Sequence, residues 1–450
     1  MRFTLPAVLL LAMSAHSQIL PGQYLHSVTQ QKVGELWVVD SFTQKAKQLK
    51  LSTPVDTNCI MMQSPVTGFV GTNTAPAQIY GVTIVGSNAI MKPVFKTPSV
   101  LTNQTNISQI GKLGSMLYFV TNDSATTKDG TIWSLPATGK ADPAMVYDLS
   151  TLSGFPTGGL ANALCCDGKR KVYVAVWPGG VVFEYDIPTK KARLLATMPA
   201  TKAPPTSGFY PVNMHYRKGK LEVYGLYGDV VVLDPVTAKV DAHYWAKAPT
   251  ATGYSAMINS GVWNPDQGHY NFGTRDGALE ALLPIGSGQL AHRIVEGVGS
   301  NVTASGNSVN GTYYQAVGGN STYLPYGAGC AGTGGFTPTS TGLGLPSGNN
   351  KAWAFGIHTL PKGTNLAVLV IGGNQGKYSL AGLGLPSCSL YTLPLLVMPA
   401  TTNLAVANGF GWAKLPINTP ANITVATQWV IWNTLGNKFD AASDARLLKL

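Results

Sequence analysis

Along the first two thirds of the chain, β-prone apolar residues recur in a fixed order: a glycine, a short apolar strand, a polar turn and a second short strand. The six openings are Gly34-Glu35-Leu36-Trp37-Val38-Val39, Gly81-Val82-Thr83-Ile84-Val85, Gly130-Thr131-Ile132-Trp133-Ser134-Leu135, Gly180-Val181-Val182-Phe183-Glu184-Tyr185, Gly228-Asp229-Val230-Val231-Val232-Leu233 and Gly277-Ala278-Leu279-Glu280-Ala281-Leu282. Successive glycines are 47, 49, 50, 48 and 49 residues apart. So even a period marks one supersecondary unit used repeatedly. Two of the turns read alike, Asp186-Ile187-Pro188-Thr189 and Asp234-Pro235-Val236-Thr237, as a repeated hairpin requires.

Upstream of most of these glycines lies another strand pair, for example Leu160 to Cys166 with Lys171 to Trp177, or Tyr210 to Tyr216 with Leu221 to Leu226. Four strands recurring every 40 to 50 residues are the sequence sign of a β-propeller. A stack of β-sandwiches would not explain the even spacing. The first repeat supplies only an outer pair, Glu35 to Val39 and Lys45 to Leu51, while Asn301 to Val317 supplies an inner pair. The two ends are therefore expected to complete one blade, two strands from each. The expected fold is all-β: a six-bladed β-propeller over residues 18–322, followed by a small β-sandwich over 323–450.

Composition supports this class. Gly 51 and Pro 29 suit turn-rich β structure, and 45% hydrophobic residues suffice for sizeable cores. Disorder, collagen and coiled coil are excluded on these values. Charged residues are only 11% of the 450, against about 25% in an ordinary soluble protein. The net charge of +11 is thus a basic tilt on a weakly charged chain.

The start of the chain reads as a secretion signal: Arg2, an apolar stretch from Leu5 to Met13, then Ala15-His16-Ser17, with cleavage expected near Ser17/Gln18. No transmembrane segment is expected later, because Leu366 to Ile371 is only strand-length and Tyr391 to Val397 is interrupted by Pro394. The expected localisation is secreted or extracytoplasmic, with association to the cell surface possible through the C-terminal unit. Five cysteines make an odd number for such a compartment. Cys330 and Cys388 are the natural couple, leaving Cys59, Cys165 and Cys166. Adjacent Cys165-Cys166 is either a strained eight-membered disulfide ring or a pair of buried thiols.

After Tyr323 the composition shifts to Gly, Thr, Leu and Pro, and the period ends. The segment Tyr326-Gly327-Ala328-Gly329-Cys330-Ala331-Gly332-Thr333-Gly334-Gly335, then Pro338, resembles the start of a C-terminal β domain of exported planctomycete-like bacterial proteins. Ala367 to Gly372, Cys388-Ser389-Leu390-Tyr391 and Ala426-Thr427-Gln428-Trp429-Val430 match it too, with Ser387 standing where that family has Gly. The resemblance covers roughly the last 125 residues and implies a β-sandwich closed by one disulfide. It implies export and surface retention, and no activity.

In a four-strand blade, hairpin turns fall on one face of the disc and blade-to-blade loops on the other. The first face gathers Lys45, Lys47, Lys112, Lys140, Lys169, Arg170, Lys171, Lys190, Lys191, Arg193, Arg217, Lys218, Lys220 and Lys239. Such a face would attract an anionic cell-envelope surface, or simply keep hairpin tips soluble. No recognition helix or RNA-binding signature accompanies the charge, so no specific nucleic acid is expected. The opposite face is aromatic: Phe155, Phe209, Tyr210 and Tyr254 just ahead of inner strands, Trp177 and Tyr227 at middle connections, with Arg275 and Asp276 as a polar pair. Flat rings beside hydrogen-bonding groups suit a glycan or peptide ligand, and equally they can plug gaps between blades.

Asn58, Asn106, Asn162, Asn213, Asn259 and Asn301 recur near the inner strands and could line the channel, holding water or a hard cation. Without a carboxylate among them no metal site is assigned, and no cofactor is expected. For an enzyme, His215 on an inner strand is the best general base, with His269 second, but no Ser, Asp or Glu pairs with either by spacing. Ligand recognition on the aromatic face is therefore the leading expectation. A propeller hydrolase or lyase using His215 and a scaffold docking through the basic face are its alternatives.

Overall fold

A computed structural model describes residues 18–20, 22–30, 33–40, 46–96, 99–123, 129–139, 141–202, 208–246, 257–266, 268–274, 279–285, 289–296, 307–316, 322–333, 337–343, 354–360, 365–373, 375–403, 409–413 and 424–449. The signal segment lies outside these. Nearly all regular structure is β, and no helix among the described residues is long and apolar enough to cross a membrane.

The chain begins with β1 (Gln23–Gln30), β2 (Val33–Asp40) and β3 (Ala46–Leu51), paired antiparallel in that order. Three four-stranded antiparallel meanders follow: β4 (Thr57–Met62) to β5 (Thr67–Thr72), β6 (Ile79–Val85) and β7 (Asn88–Pro93); β8 (Gln104–Leu113) to β9 (Met116–Asp123), β10 (Thr131–Pro136) and β11 (Ala144–Asp148); and β12 (Leu160–Cys166) to β13 (Lys171–Trp177), β14 (Val181–Asp186) and β15 (Lys191–Thr197). Two more comprise β16 (Pro211–Arg217), β17 (Lys220–Gly225), β18 (Asp229–Asp234) and β19 (Lys239–Ala246), then β20 (Ile258–Asn264), β21 (His269–Thr274), β22 (Leu279–Ile285) and β23 (Gln289–Glu296). Finally β24 (Asn307–Tyr314) returns to pair antiparallel with β1. The leading strand of each meander packs on that of the next, from β4 through β8, β12, β16, β20 and β24 back to β4. That cyclic order is the defining geometry of a β-propeller.

The hydrophobic pattern follows from position within a meander. Middle strands such as β13 and β14 are buried along both faces, because neighbouring meanders cover each side, so they read as nearly continuous apolar runs. Outermost strands such as β15 have only one covered face and carry Lys191 and Arg193 outward. The repeating Gly180 and Gly228 stand at φ +60° and +91°, a left-handed backbone that a side chain would oppose. The two matching turns are also alike in detail. Asp186 Oδ1 accepts from Thr189 N and Oγ1, Asp234 Oδ1 accepts from Val236 N and Thr237 N, and the residues that follow, Lys190 and Ala238, both have positive φ.

Closure differs from the expected two-plus-two division. β1 supplies a third strand from the start of the chain, and only β24 comes from the far end. Gln23–Gln30 lies upstream of Gly34, the first glycine of the period, and Tyr24, Leu25, His26, Ser27 and Val28 are all buried. The seam they form is polar inside. His26 Nδ1 is 3.1 Å from Thr312 Oγ1, which is 2.7 Å from Ser260 Oγ, while Tyr24 Oη accepts from Asn264 Nδ2 at 2.6 Å and from Asn271 Nδ2. Burial in these uncharged surroundings pushes the His26 imidazole down to about 3.

Beyond residue 322 lie β25 (Thr322–Gly327), β26 (Thr339–Leu343), β27 (Ala354–Leu360), β28 (Asn365–Gly372), β29 (Gln375–Ser379), β30 (Ser389–Thr392), β31 (Leu396–Pro399), β32 (Thr401–Asn403), β33 (Gly409–Ala413), β34 (Thr424–Asn433), β35 (Lys438–Ala442) and β36 (Ala445–Lys449). One sheet runs β25-β36-β34-β28-β31 and a second β26-β27-β33-β32. They share a core in which Phe355 and Ile357 of the second sheet meet Leu369, Trp429, Ile431 and Leu448 of the first. Arg446 is fully buried, donating from Nε to Asp444 Oδ2 at 2.9 Å and from Nη1 to the Tyr323 carbonyl at 3.0 Å. Cys330 and Cys388 form a disulfide, Cα atoms 5.3 Å apart. Cys59, Cys165 and Cys166 are free thiols, so the adjacent pair forms no ring.

Candidate functional site

Each inner strand carries an irregularity where one extra residue is inserted against its partner. Between β4 and β5 the register jumps from Thr57↔Thr72 to Cys59↔Gly71, leaving Asn58 as the extra residue. The same event leaves Asn162 in β12, Val212 in β16, Asn259 in β20 and Asn310 in β24, and in β8 it leaves Thr105 and Ser108. A bulge re-aims a side chain that regular alternation would send elsewhere. Asn58, Ser108, Asn162, Val212, Asn259 and Asn310 accordingly line one axial cavity of about 250 Å³, together with Asn106, Asn122, Leu160 and Trp177. No charged side chain lines it.

The amides are tied to the neighbouring inner strand. Asn58 Nδ2 donates to the Ile107 carbonyl at 2.9 Å, and Asn162 Nδ2 to the Pro211 carbonyl at 2.9 Å. Asn259 Nδ2 donates to Ser308 Oγ and Asn310 Oδ1, both at 2.8 Å, and Asn310 Nδ2 to Thr29 Oγ1 at 2.7 Å. A backbone carbonyl only accepts, so these bonds fix which way Asn58 and Asn162 are turned. Just along the strands, the buried Gln109 ties three of them together. Its Nε2 donates to Asn213 Oδ1 at 3.1 Å and to the Met214 carbonyl at 3.0 Å, and its Oε1 accepts from Leu164 N at 2.9 Å.

Of the asparagines picked out by spacing, Asn58, Asn106, Asn162 and Asn259 line the cavity. Asn213 holds Gln109 instead, and Asn301 lies outside the described residues. Sequence reasoning missed Asn310, Asn122 and Gln109. Asn310 sits 51 residues after Asn259 and could have been found by extending the period. Gln109 gave no signal. No cluster of three or more His, Cys, Asp or Glu that could hold a metal occurs among the described residues.

The expected aromatic set divides in three. Trp177, Tyr210 and Tyr227 are brought together, with ring centroids 6.1 Å apart between the first two and 5.7 Å between the last two. Trp177, opposite Leu160 at the start of β12, lines the cavity at its rim, with Tyr210 and Tyr227 packed behind it outside the lining. Phe155 and Phe209 pack between meanders, Phe155 against Phe183 and Phe209 edge-on to His243 with 2% exposure. Tyr254, Arg275 and Asp276 lie outside the described residues.

His215 is placed away from the rim group. Its Nε2 is 2.7 Å from the Gly261 carbonyl, its ring meets Tyr224 edge-on, and burial lowers its pKa although the Gly261 bond and Glu222 oppose the shift. His269 is fully buried opposite Asn264. On the hairpin-turn face, part of the basic charge is neutralised locally. Arg170 pairs with Asp186, Lys171 and Arg193 with Glu184, Arg217 with Glu222, and Lys220 with Asp234 and Asp241. Bonds from Lys220, then Thr237 and Val236, draw the Asp234 carboxyl down to about 2. Lys45 and Lys140 fall outside the described residues.

No protein family and no curated protein sequence matches this chain. Solved structures similar to it include the WD40 β-propeller domain of Doa1, at 12% identity and TM-score 0.39 over 62% of this chain and 83% of that one. A chain of the mitotic checkpoint complex is similar at 10% identity and TM-score 0.37, over 65% and 88%. The propeller assignment rests on the cyclic packing of inner strands and not on these likenesses.

Proposed function

We propose that the meanders are the blades of one six-bladed ring and that the chain is an exported binding protein, recognising a glycan or peptide at the mouth of its axial cavity. The observation that carries this reading is Trp177 on the rim of an uncharged, amide-lined hollow, backed by the rings of Tyr210 and Tyr227. Rigid rings bury large area at low entropic cost, and amides beneath them supply orientation. The two sheets beyond residue 322 form the accompanying β-sandwich, and the Cys330–Cys388 bond suits an oxidising compartment outside the cytoplasm. Against the alternatives stand the Gly261 bond that occupies Nε2 of His215 and the carboxylates that accompany the basic hairpins.

Glycan and peptide arrays screened with the exported chain test the reading. Binding that falls at least about tenfold, near 1.4 kcal/mol, in Trp177→Ala and in Tyr210→Ala supports it. Unaltered binding in both variants removes the rim from consideration.

A further inference from the structure

We infer that the cavity selects an uncharged, hydroxyl-bearing ligand, a neutral sugar ring, by offering amide oxygens and amide N–H groups with no charged side chain among them; this inference rests on the binding role just proposed for the rim. Asn58 and Asn162 each commit one amide hydrogen to a carbonyl of the next inner strand, which fixes the amide and leaves its oxygen as an acceptor in the lining. Among the described residues those two oxygens have no protein partner. Elsewhere in the lining, Ser108 donates to Asn106 Oδ1, and Asn310 Oδ1 accepts from Asn259 and Ser308, so the Asn106 and Asn310 oxygens are engaged within the wall and Asn106 offers its amide N–H.

The chemistry of a fitting ligand follows by elimination. An anion would find no cation among the lining residues, and a divalent cation would find no carboxylate to compensate its lost hydration. A purely apolar group would dehydrate amide oxygens without replacing the bonds they make to water, the omission that polar pockets penalise most. A sugar hydroxyl both donates to an amide oxygen and accepts from an amide N–H, and the C–H face of a sugar ring suits the flat ring of Trp177. The hollow, about 250 Å³, has room for one such ring.

The test uses the exported chain and calorimetric titration with mannotriose, cellotriose and chitotriose, with trigalacturonate as the acidic counterpart and a pool of acetylated, amidated tetrapeptides. At least one neutral trisaccharide should bind, with affinity constant within twofold between 20 mM and 500 mM NaCl, roughly as an uncharged contact requires. Binding should be lost in Trp177→Ala and should fall about tenfold in Asn162→Leu. Because that variant also gives up the bond to Pro211, the same loss is sought without touching the protein, by O-methylating single ligand hydroxyls, which keeps the acceptor and deletes the donor. Full retention of affinity by every singly O-methylated ligand overturns hydroxyl donation to the Asn58 and Asn162 oxygens and with it this inference. Trp177-dependent binding of trigalacturonate or of a tetrapeptide, with the neutral sugars silent, overturns the sugar assignment while the rim site stands. Absence of any Trp177-dependent binding in all three classes removes the rim site and this inference together.

Discussion

Where the ring meets itself, β24 lies against β1 with His26 opposite Thr312, and buried hydrogen bonds around His26, Thr312 and Ser260 run beside an apolar cluster of Tyr24, Val28, Val309 and Tyr314. The C-terminal unit secures its fold with a covalent Cys330–Cys388 link and a buried ion pair, Arg446 with Asp444. The first join depends on side chains remaining neutral, and the second on a charge pair and an oxidised sulfur bond. One molecule therefore carries two regions with opposite sensitivities, to acid in the ring and to reductant beyond it.

Acidification should separate them most. His26 binds a proton at its ordinary pKa of 6.5 when unfolded but only near 3 when folded, so its neutral burial favours the fold fully above 6.5. As the pH falls from 6.5 towards 3 the ring should lose stability, by at most about 5 kcal/mol. Burial holds Asp444 above the usual carboxylate range, so its contribution runs the other way and the C-terminal unit does not share the loss from this source. Hydrogen exchange at pH 7 and 4.5 reads both regions at once. Opening confined to β1 and β24, and suppressed in His26→Gln, is the expected pattern, and equal opening of β34 and β36 breaks the comparison.

Reduction supplies the converse. Removing the bond that spans 58 residues of chain, by Cys330→Ser, should cost the C-terminal unit about 2–4 kcal/mol and leave binding at the rim unchanged. A matching fall in ring stability would show that the two regions unfold as one. The smallest effect belongs to the hairpin tips. Lys220 shares two carboxylates but is more than one third exposed, so Lys220→Ala should leave the midpoint of thermal unfolding nearly unchanged. A larger shift would mean that the basic face stabilises the ring in a way its exposure does not suggest.

Much of the ring was legible because its third strands obey local rules. Gly180 and Gly228 stand where backbone geometry calls for glycine, and the Asp-led turns at 186 and 234 carry their own hydrogen bonds, so both signals survive without any long-range contact. The cysteine couple was readable for a related reason, since two lone cysteines in one unit leave few choices. β1 was missed because its burial is conferred by β24, some 280 residues away in sequence. The cavity was half seen. Spacing picked out Asn58 and Asn162 but could not tell them from Asn213, because a one-residue bulge decides which side chain turns towards the axis.

The sequence by itself determined the all-β class, the period, the site of the disulfide and the residue types available to the rim. Turn chemistry, glycine backbone freedom and two-sided hydrophobic burial act within a few residues, and they print themselves on the local pattern. Tertiary structure alone decided that β1 joins the seam, that Trp177, Tyr210 and Tyr227 meet while Phe209 is walled in and Phe155 packs half-buried on Phe183, and that Gln109 ties three inner strands together. Those outcomes depend on which strands become neighbours around the ring and where each bulge falls, and neither quantity is written in the order of residues along one strand.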